Sequence, residues 1–153
     1  MPTDIQTQPG PLRLWPASVF SQFDASRGRG ADEERRVLLV EDDFLVAGEI
    51  EYLLMQAGLI VIGPAATAEE ALRLAGEAKP DLVVMDVRLA GRRDGIDAAI
   101  EIYRKFGIRS LFATAHSDDA TMARGRLANP FGWVAKPYSP AALVREIEEL
   151  LRA

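Results

Sequence analysis

The 153-residue chain contains no cysteine and a single histidine, His116. The lack of cysteine excludes disulfides, thiolate metal sites and cysteine nucleophiles, and it fits a reducing compartment. An excess of positive charge is also missing, because 18 Lys and Arg stand against 23 Asp and Glu, for a formal net charge of −5. The totals therefore favour an ordinary globular protein and give no support to a direct nucleic-acid surface.

Long hydrophobic runs are missing as well. The uncharged run from Leu53 to Ala68 is interrupted by Gly58, Gly63 and Pro64, and it is too short and too broken to span a bilayer. The first residues show neither a basic segment followed by an apolar one nor a cleavage signal. We therefore expect a cytoplasmic protein without membrane insertion.

The first 34 residues differ from the rest of the chain. Four prolines among the first 16 residues prevent a long helix, and "SRGRGADEE" is typical of a flexible connector. We place a domain boundary near Glu34, with residues 1–34 as an N-terminal extension and residues 35–153 as one domain. The stretch "LRLWPASVFSQF" is rich in large apolar side chains. Two alternatives stay open for it: a flexible segment, or a short docking helix that covers a groove on this domain or on a partner.

Downstream of this extension, short apolar runs alternate with segments of helical periodicity. This alternation predicts an α/β fold, with a parallel sheet covered by helices on both faces. The runs are rich in Val, Leu and Ile, as buried parallel strands are. The predicted strands are Val37 to Glu41, Leu59 to Gly63, Asp81 to Asp86, Ser110 to Thr114 and Gly132 to Ala135.

Five helices are predicted from periodicity and capping residues. The first begins at about Asp43, buries a face formed by Val46, Ile50, Leu53, Leu54 and Ala57, and ends at Gly58. The second is capped by Thr67 and Glu70 and stops before Pro80, and the third runs from about Gly95 to Lys105. The fourth is capped by Ser117 or Asp118 and interrupted by Gly125; the fifth starts with Ser139 and Pro140 and presents Leu143, Ile147, Leu150 and Leu151 on one face.

Polar residues stand where the predicted strands end. Glu41, Asp42 and Asp43 follow strand one, Asp86 ends strand three, Thr114 ends strand four and Lys136 follows strand five. In open parallel sheets, ligands bind at the carboxyl ends of the strands. We therefore expect these acids, the hydroxyl and the lysine to meet at one edge of the sheet.

Several carboxylates at one edge would repel one another unless a cation lies between them. Carboxylate oxygens without nearby His or Cys favour a hard ion, and an open site that keeps waters suits Mg²⁺. Lys136 can then face a phosphate, and Thr114 can donate to one of its oxygens. The pattern predicts a Mg²⁺ and phosphate site in which Asp86 is a metal ligand, a nucleophile that forms an aspartyl phosphate, or both.

Four motifs in chain order carry a family resemblance. "VLLVEDDFLV", "DLVVMDVRLAG", "LFATA" and "WVAKPYSP" resemble the receiver domain of bacterial two-component response regulators over roughly Arg36 to Arg152. The resemblance implies a doubly wound, flavodoxin-like sheet in the order 2-1-3-4-5. It also implies that Asp86 accepts a phosphoryl group, with Mg²⁺, from a sensor histidine kinase or a phosphotransfer protein.

The same resemblance implies a role for each matching residue. Glu41, Asp42 and Asp86 would bind the metal together with the backbone carbonyl of Arg88, and Asp43 would cap the first helix. Thr114 would be the switch hydroxyl, Ala115 would offer its backbone N–H to the phosphate, and Lys136 would bind the phosphate. Trp133 occupies the aromatic switch position, and a cis Lys136–Pro137 bond is expected.

The chain departs from the family pattern beside the phosphoacceptor. Ala90 stands where the family usually has proline, and "AGRRDG" is one residue longer than usual. Trp133 is bulkier than the usual Tyr or Phe, so it can equally be a core residue. We expect His116 and the side chain of Arg88 to flank the phosphate, and Arg92 and Arg93 to form a solvated loop.

The main prediction is a phosphorylation-dependent signalling module that is not an enzyme in the ordinary sense. It would signal to a downstream protein through helix four, strand five and helix five, without a DNA-binding output domain, and a homodimer is one option for its assembly. One alternative is a phosphohydrolase with an aspartyl-phosphate intermediate, which Arg88 disfavours because such enzymes usually place a second acid there. The other is a pseudo-receiver that binds partners without being phosphorylated.

Overall fold

The computed structural model describes residues 34–115 and 118–152. Five strands form one parallel sheet in the order β2-β1-β3-β4-β5, as expected from the resemblance. The strands are β1 (Arg36–Val40), β2 (Ile60–Ala65), β3 (Leu82–Asp86), β4 (Ser110–Thr114) and β5 (Gly132–Ala135). The helices are α1 (Phe44–Gln56), α2 (Ala68–Ala78), α3 (Gly95–Phe106), α4 (Asp119–Gly125) and α5 (Pro140–Arg152), and a 3₁₀ turn, Arg126–Ala128, follows α4.

Two apolar layers cover the sheet. The helices α1 and α5 pack on one face, where Ile50, Leu54 and Ile147 are fully buried against Val37 and Leu39. The helices α2 and α3 pack on the other face, together with Ala128 of the 3₁₀ turn. The three central strands, β1, β3 and β4, are buried along their whole length, which explains why their sequences read as continuous apolar runs.

Capping side chains set the helix starts. The carboxylate of Asp43 accepts hydrogen bonds from the Leu45 and Val46 N–H groups and begins α1. Thr67 and Asp118 begin α2 and α4 in the same way, and Ser139 accepts from Ala142 at the start of α5. These caps confirm the predicted helix starts, with Asp118 rather than Ser117 in front of α4.

The first two strands differ from their predicted bounds. Glu41 lies just past the end of β1, where its N–H donates to the Ala65 carbonyl at 2.8 Å. β2 begins at Ile60 and continues through a cis Gly63–Pro64 bond to Ala65, with an irregular register against β1. The prediction ended β2 at Gly63 because a Gly-Pro pair usually marks a turn.

The predicted face of α1 packs on the sheet. Ile50 and Leu54 are buried as expected, Ala47 is buried as well, and Val46, Leu53 and Ala57 are partly buried against the same core. The cis Lys136–Pro137 bond is present as expected. Within the described ranges, every helix is too short or too polar to cross a bilayer.

Candidate functional site

The carboxyl edge of the sheet holds a cleft of about 250 Å³. Glu41 and Asp42 reach it from the end of β1, Asp86 from β3, Thr114 from β4 and Lys136 from just beyond β5. The full lining comprises Glu41, Asp42, Asp43, Val46, Asp86, Arg88, Thr114, Ala115 and Lys136. Parallel strands bring these residues together because all of their carboxyl ends point to the same edge.

Three carboxylates form the acidic part of the cleft. Ligand oxygens of Glu41, Asp42 and Asp86 lie within 4.8 Å of one another. Glu41 and Asp86 are buried, whereas Asp42 is exposed. An all-oxygen set with an open side matches what a hard divalent cation prefers, so these residues can hold a metal ion.

Lys136 supplies the cationic part of the cleft. Its Nζ lies 3.2 Å from Asp86 Oδ1 and 3.7 Å from Glu41 Oε1, and its side chain is 28% exposed. Among the described residues that line the cleft, four carboxylates stand against two cations, the Lys136 ammonium group and the Arg88 guanidinium. This imbalance leaves net negative charge for a cation to neutralise.

Burial raises the pKa of Glu41 to about 7. The Asp43 N–H and Lys136 oppose this rise, and the nearby Asp86 carboxylate adds to it. Burial likewise raises the pKa of the neighbouring Tyr138 hydroxyl to about 12, with further contributions from Glu41 and Asp86. Both directions are those expected of groups near excess negative charge in a partly desolvated cleft.

Backbone donors fix the orientation of the two buried carboxylates. The Asp43 N–H donates to Glu41 Oε2 at 3.1 Å, and the Arg88 N–H donates to Asp86 Oδ1 at 3.2 Å. The Lys136 N–H donates to the Thr114 carbonyl at 2.8 Å, which ties the loops after β4 and β5 together. The functional roles assigned to these residues, and to the Arg88 carbonyl, stay predictions, and His116 lies outside the described residues.

Trp133 is partly buried in the layer under α4. Its indole stacks on Phe112 with ring centroids 4.5 Å apart. It also lies so close to Gly125 that a Cβ at that glycine would be 2.5 Å from the ring. Trp133 is thus packed between β4 and α4, and its switch role stays a prediction.

Sequence reasoning missed a second ionic cluster next to the cleft. Arg124 of α4 donates to both carboxylate oxygens of Asp94 at 3.1 Å and to Asp97 at 3.0 Å. Burial alone would raise the pKa of Asp94, but the hydrogen bonds from Arg124 and the Asp97 N–H hold it below its usual range. The only sequence signal was Asp94 itself, which precedes Gly95 as a helix cap.

Arg93 lies in the loop before α3 with a partly exposed side chain, as expected, but it has an ion-pair partner that was not predicted. Its guanidinium pairs with Glu101 of α3, and Lys105 pairs with the same carboxylate. Glu101 follows Arg93 by eight residues and lies two turns into α3, a separation that no local pattern indicates. Arg92 is exposed, as expected.

A family model described as the response regulator receiver domain matches residues 37–148. The transcriptional regulatory protein PdtaR of Mycobacterium tuberculosis (strain CDC 1551 / Oshkosh) is 40% identical over 114 residues, which are 74% of this chain and 55% of that protein. The phyllosphere-induced regulator PhyR of Methylorubrum extorquens is 33% identical over 129 residues, which are 84% of this chain and 48% of that protein. The chain thus spans about half the length of these relatives.

Solved structures agree with the sequence relatives. A LuxR-family two-component response regulator from Aurantimonas sp. SI85-9A1 has 36% identity and a TM-score of 0.68, and the match covers 78% of this chain and 86% of that chain. The signal receiver domain of a modulated diguanylate cyclase from Desulfovibrio desulfuricans G20 has 33% identity and a TM-score of 0.70, with 78% and 95% covered. Together with the sheet order and the acidic cleft, these matches show that the chain belongs to the response regulator receiver domain family of two-component systems.

Proposed function

We propose that the chain is a phosphoacceptor receiver in which Asp86 takes a phosphoryl group from a sensor histidine kinase or a phosphotransfer protein. One observation carries this proposal: Asp86 Oδ1 lies 3.2 Å from Lys136 Nζ in an open cleft that it shares with two further carboxylates. We assign residues 35–153 to the receiver and residues 1–34 to an N-terminal extension, of which the structure describes Glu34 alone.

In the proposed reaction, a carboxylate oxygen of Asp86 forms a bond to phosphorus while the phosphorus–nitrogen bond of a phosphohistidine donor breaks. The leaving imidazole nitrogen takes a proton, and the product is an acyl phosphate. Lys136, 3.2 Å from Asp86, would pair with a phosphoryl oxygen, and Thr114 and the Ala115 N–H, which line the same cleft, would donate to the phosphoryl group. Bound Mg²⁺ would neutralise charge on the carboxylates and on the phosphoryl oxygens.

For the output, we propose a downstream protein that reads α4, β5 and α5. Thr114 ends β4 beside the phosphate position, and Trp133 packs between β4 and Gly125 of α4. A shift of Thr114 toward a new phosphoryl group would therefore act on residues packed directly against α4. Added charge biases such a two-state element through new hydrogen bonds.

Intact-mass spectrometry after incubation with acetyl phosphate and Mg²⁺ tests the proposal. We expect one phosphoryl adduct on the wild-type chain and none on Asp86→Ala. Asp119→Asn is the matched control, because it removes an exposed aspartate of α4 and should keep the adduct. A wild-type chain that gains no adduct would support the pseudo-receiver alternative instead.

Phosphate release in the same incubation tests the hydrolase alternative. Many turnovers per chain would favour an enzyme that consumes phosphoesters. Arg88, two residues after Asp86, is exposed and cationic, whereas such an enzyme would use an acid there to activate water. We therefore expect slow release that follows the decay of a single adduct.

A further inference from the structure

An apolar groove lies beside the phosphorylation cleft, between α1 and the loop that joins β5 to α5. It has a volume of about 460 Å³ and is lined mainly by Val46, Glu49, Ala115, Pro137, Tyr138 and Pro140. Most of this lining is apolar, although Lys136 borders both the groove and the cleft. A concave surface of this size and character is suited to holding apolar side chains.

The first turn of α1 also leaves large apolar side chains exposed. Leu45, which directly precedes the groove residue Val46, is 88% exposed, and Phe44, two residues before Val46, is 77% exposed. Large apolar side chains that remain in water next to an apolar groove mark a binding surface. The structure therefore leaves one end of α1 without a covering element among the described residues.

The chain itself contains a segment with matching chemistry. Between residues 12 and 23 the sequence places six large apolar side chains: Leu12, Leu14, Trp15, Val19, Phe20 and Phe23. Val19, Phe20 and Phe23 have the spacing of one helix face, and Pro16 suits the first position of such a helix. Leaving this much apolar surface in water is unfavourable, so the segment favours an apolar partner surface.

The tether between this segment and the domain is long enough. Residues 24–33 are ten residues that span up to about 35 Å when extended. The described chain starts at Glu34, before β1, at the amino edge of the sheet. The groove lies toward the carboxyl edge, and the five residues of β1 cover only about 17 Å. A tethered segment has an effective concentration of roughly millimolar, so weak affinity is sufficient for docking.

We infer that residues 12–23 dock into the groove between α1 and the β5–α5 loop of their own chain. Ala115 and Lys136 line the cleft as well as the groove, so the docked segment lies beside the cleft. The inference concerns binding alone and does not depend on whether Asp86 is phosphorylated.

Disulfide trapping in the full-length chain tests the inference, since the natural sequence has no cysteine to interfere. One variant carries Gln22→Cys, at the edge of the proposed helix face, together with Glu49→Cys, an exposed groove position on α1. The matched control carries Gln22→Cys with Glu77→Cys, an exposed position at the end of α2 on the other face of the sheet. An undocked segment reaches Glu77 at least as easily, because the end of α2 lies near the amino edge where Glu34 stands.

We expect the disulfide within one chain to form roughly tenfold faster with Glu49→Cys than with Glu77→Cys. Adding Phe20→Asp to the Glu49→Cys variant should lower its rate to that of the control, because a carboxylate cannot enter the groove cheaply. Circular dichroism checks that each variant is folded. The reactivity of each cysteine toward a small thiol reagent corrects the disulfide rates for differences in intrinsic reactivity.

Equal rates at the two positions, or a rate that Phe20→Asp leaves unchanged, would overturn the inference. A disulfide that forms only between two chains would also overturn it and would make a second copy the occupant of the groove. Trapping involves no phosphoryl chemistry. A negative result would therefore leave the phosphoacceptor proposal for Asp86 intact.

Discussion

Two ionic clusters stand at opposite ends of the loop between β3 and α3, and they arrange their charges differently. The site cluster has three carboxylates and one lysine: Glu41, Asp42, Asp86 and Lys136. The clamp has two carboxylates and one arginine: Asp94, Asp97 and Arg124. The contacts of the clamp are 3.0 to 3.1 Å long, whereas Lys136 contacts its partners at 3.2 and 3.7 Å.

Protonation behaviour follows the same division. In the clamp, hydrogen bonds from the arginine outweigh burial, and the pKa of Asp94 falls below its usual range. In the site cluster, burial outweighs the lysine, and the pKa of Glu41 rises to about 7. In the clamp the arginine therefore keeps Asp94 ionised, whereas in the site cluster the lysine does not offset the effect of burial on Glu41.

Gly95 connects the two clusters. A Cβ at this position would lie 1.9 Å from the backbone carbonyl oxygen of Asp86, and the Gly95 N–H donates to the Val87 carbonyl at 2.7 Å. Asp94, the anchor of the clamp, is the N-cap of the same helix. The start of α3, which carries the clamp, therefore packs directly on the backbone of β3 at Asp86.

The largest effect is expected from Gly95→Ala. The added methyl group would have to push the Asp86 backbone aside, and we expect a loss of about 3 kcal/mol in the free energy of unfolding. Urea denaturation measures this loss. Gly48→Ala is the control, because a Cβ there meets no atom within 4 Å, and alanine in α1 should stabilise by up to about 1 kcal/mol. Similar values for the two variants would show that the contact at Asp86 relaxes freely.

The second-largest effect is expected from Mg²⁺, which would supply the positive charge that the site cluster lacks. With Mg²⁺ at about 100 times its dissociation constant, the wild-type free energy of unfolding should rise by about 2.7 kcal/mol. Asp42→Asn should lose most of this gain, and in EDTA it should be at least as stable as the wild type because one repelling charge is gone. Thermal melts with and without Mg²⁺ measure both effects.

Asp97→Asn is the control for this prediction. It removes one carboxylate from the clamp and should respond to Mg²⁺ like the wild type, since Arg124 keeps both of its contacts to Asp94. A full Mg²⁺ response in Asp42→Asn would mean that the exposed acid is not a ligand.

A smaller loss in the free energy of unfolding is expected from Lys136→Met. Glu41 and Asp86 would lose their ammonium partner, and we expect a loss of about 1 to 2 kcal/mol without Mg²⁺, since the lysine is partly screened by solvent. Mg²⁺ should recover most of this loss, because it neutralises the same carboxylates. Denaturation with and without Mg²⁺ checks this. No recovery would mean that Lys136 stabilises the fold through packing rather than through charge.

The site cluster could be predicted from sequence, whereas the clamp could not. Glu41, Asp86, Thr114 and Lys136 each end or follow a short apolar strand, and parallel strands must end at one edge, so local pattern alone brings them together. Arg124 lies 30 residues from Asp94, and their contact depends on how α4 sits against α3. No local periodicity encodes that placement.

The same limit explains two smaller outcomes. The cis Gly63–Pro64 bond and the irregular register carry β2 two residues beyond the predicted end, although Gly-Pro normally stops a strand. The packing of Trp133 on Gly125 depends on the position of α4, which the sequence gives only as a short helix with a glycine. The sequence pattern predicts the helices and strands, but it does not predict the contacts between them.

The smallest effect is expected from breaking the clamp with Arg124→Met. The ion pairs are about half exposed, so we expect a loss of only about 0.5 to 1 kcal/mol at neutral pH. Because the folded pKa of Asp94 lies below its unfolded value of 3.8, this contribution is fully present above the unfolded pKa. It disappears as the pH falls through the folded pKa.

The measurement for the clamp is the difference in free energy of unfolding between wild type and Arg124→Met, followed from neutral to acidic pH. The difference should shrink only in the acidic range. Arg92→Met is the control, because it removes an exposed arginine from the loop between β3 and α3. Its effect on the free energy of unfolding should not change between neutral and acidic pH. Addition of Mg²⁺ should not rescue Arg124→Met, in contrast to Lys136→Met, because the group of acids that could hold a metal ion among the described residues is Glu41, Asp42 and Asp86 and does not include the clamp carboxylates. If Mg²⁺ restored the stability of both variants, the charges of the clamp and of the site cluster would be coupled, with Gly95 as the contact that joins them.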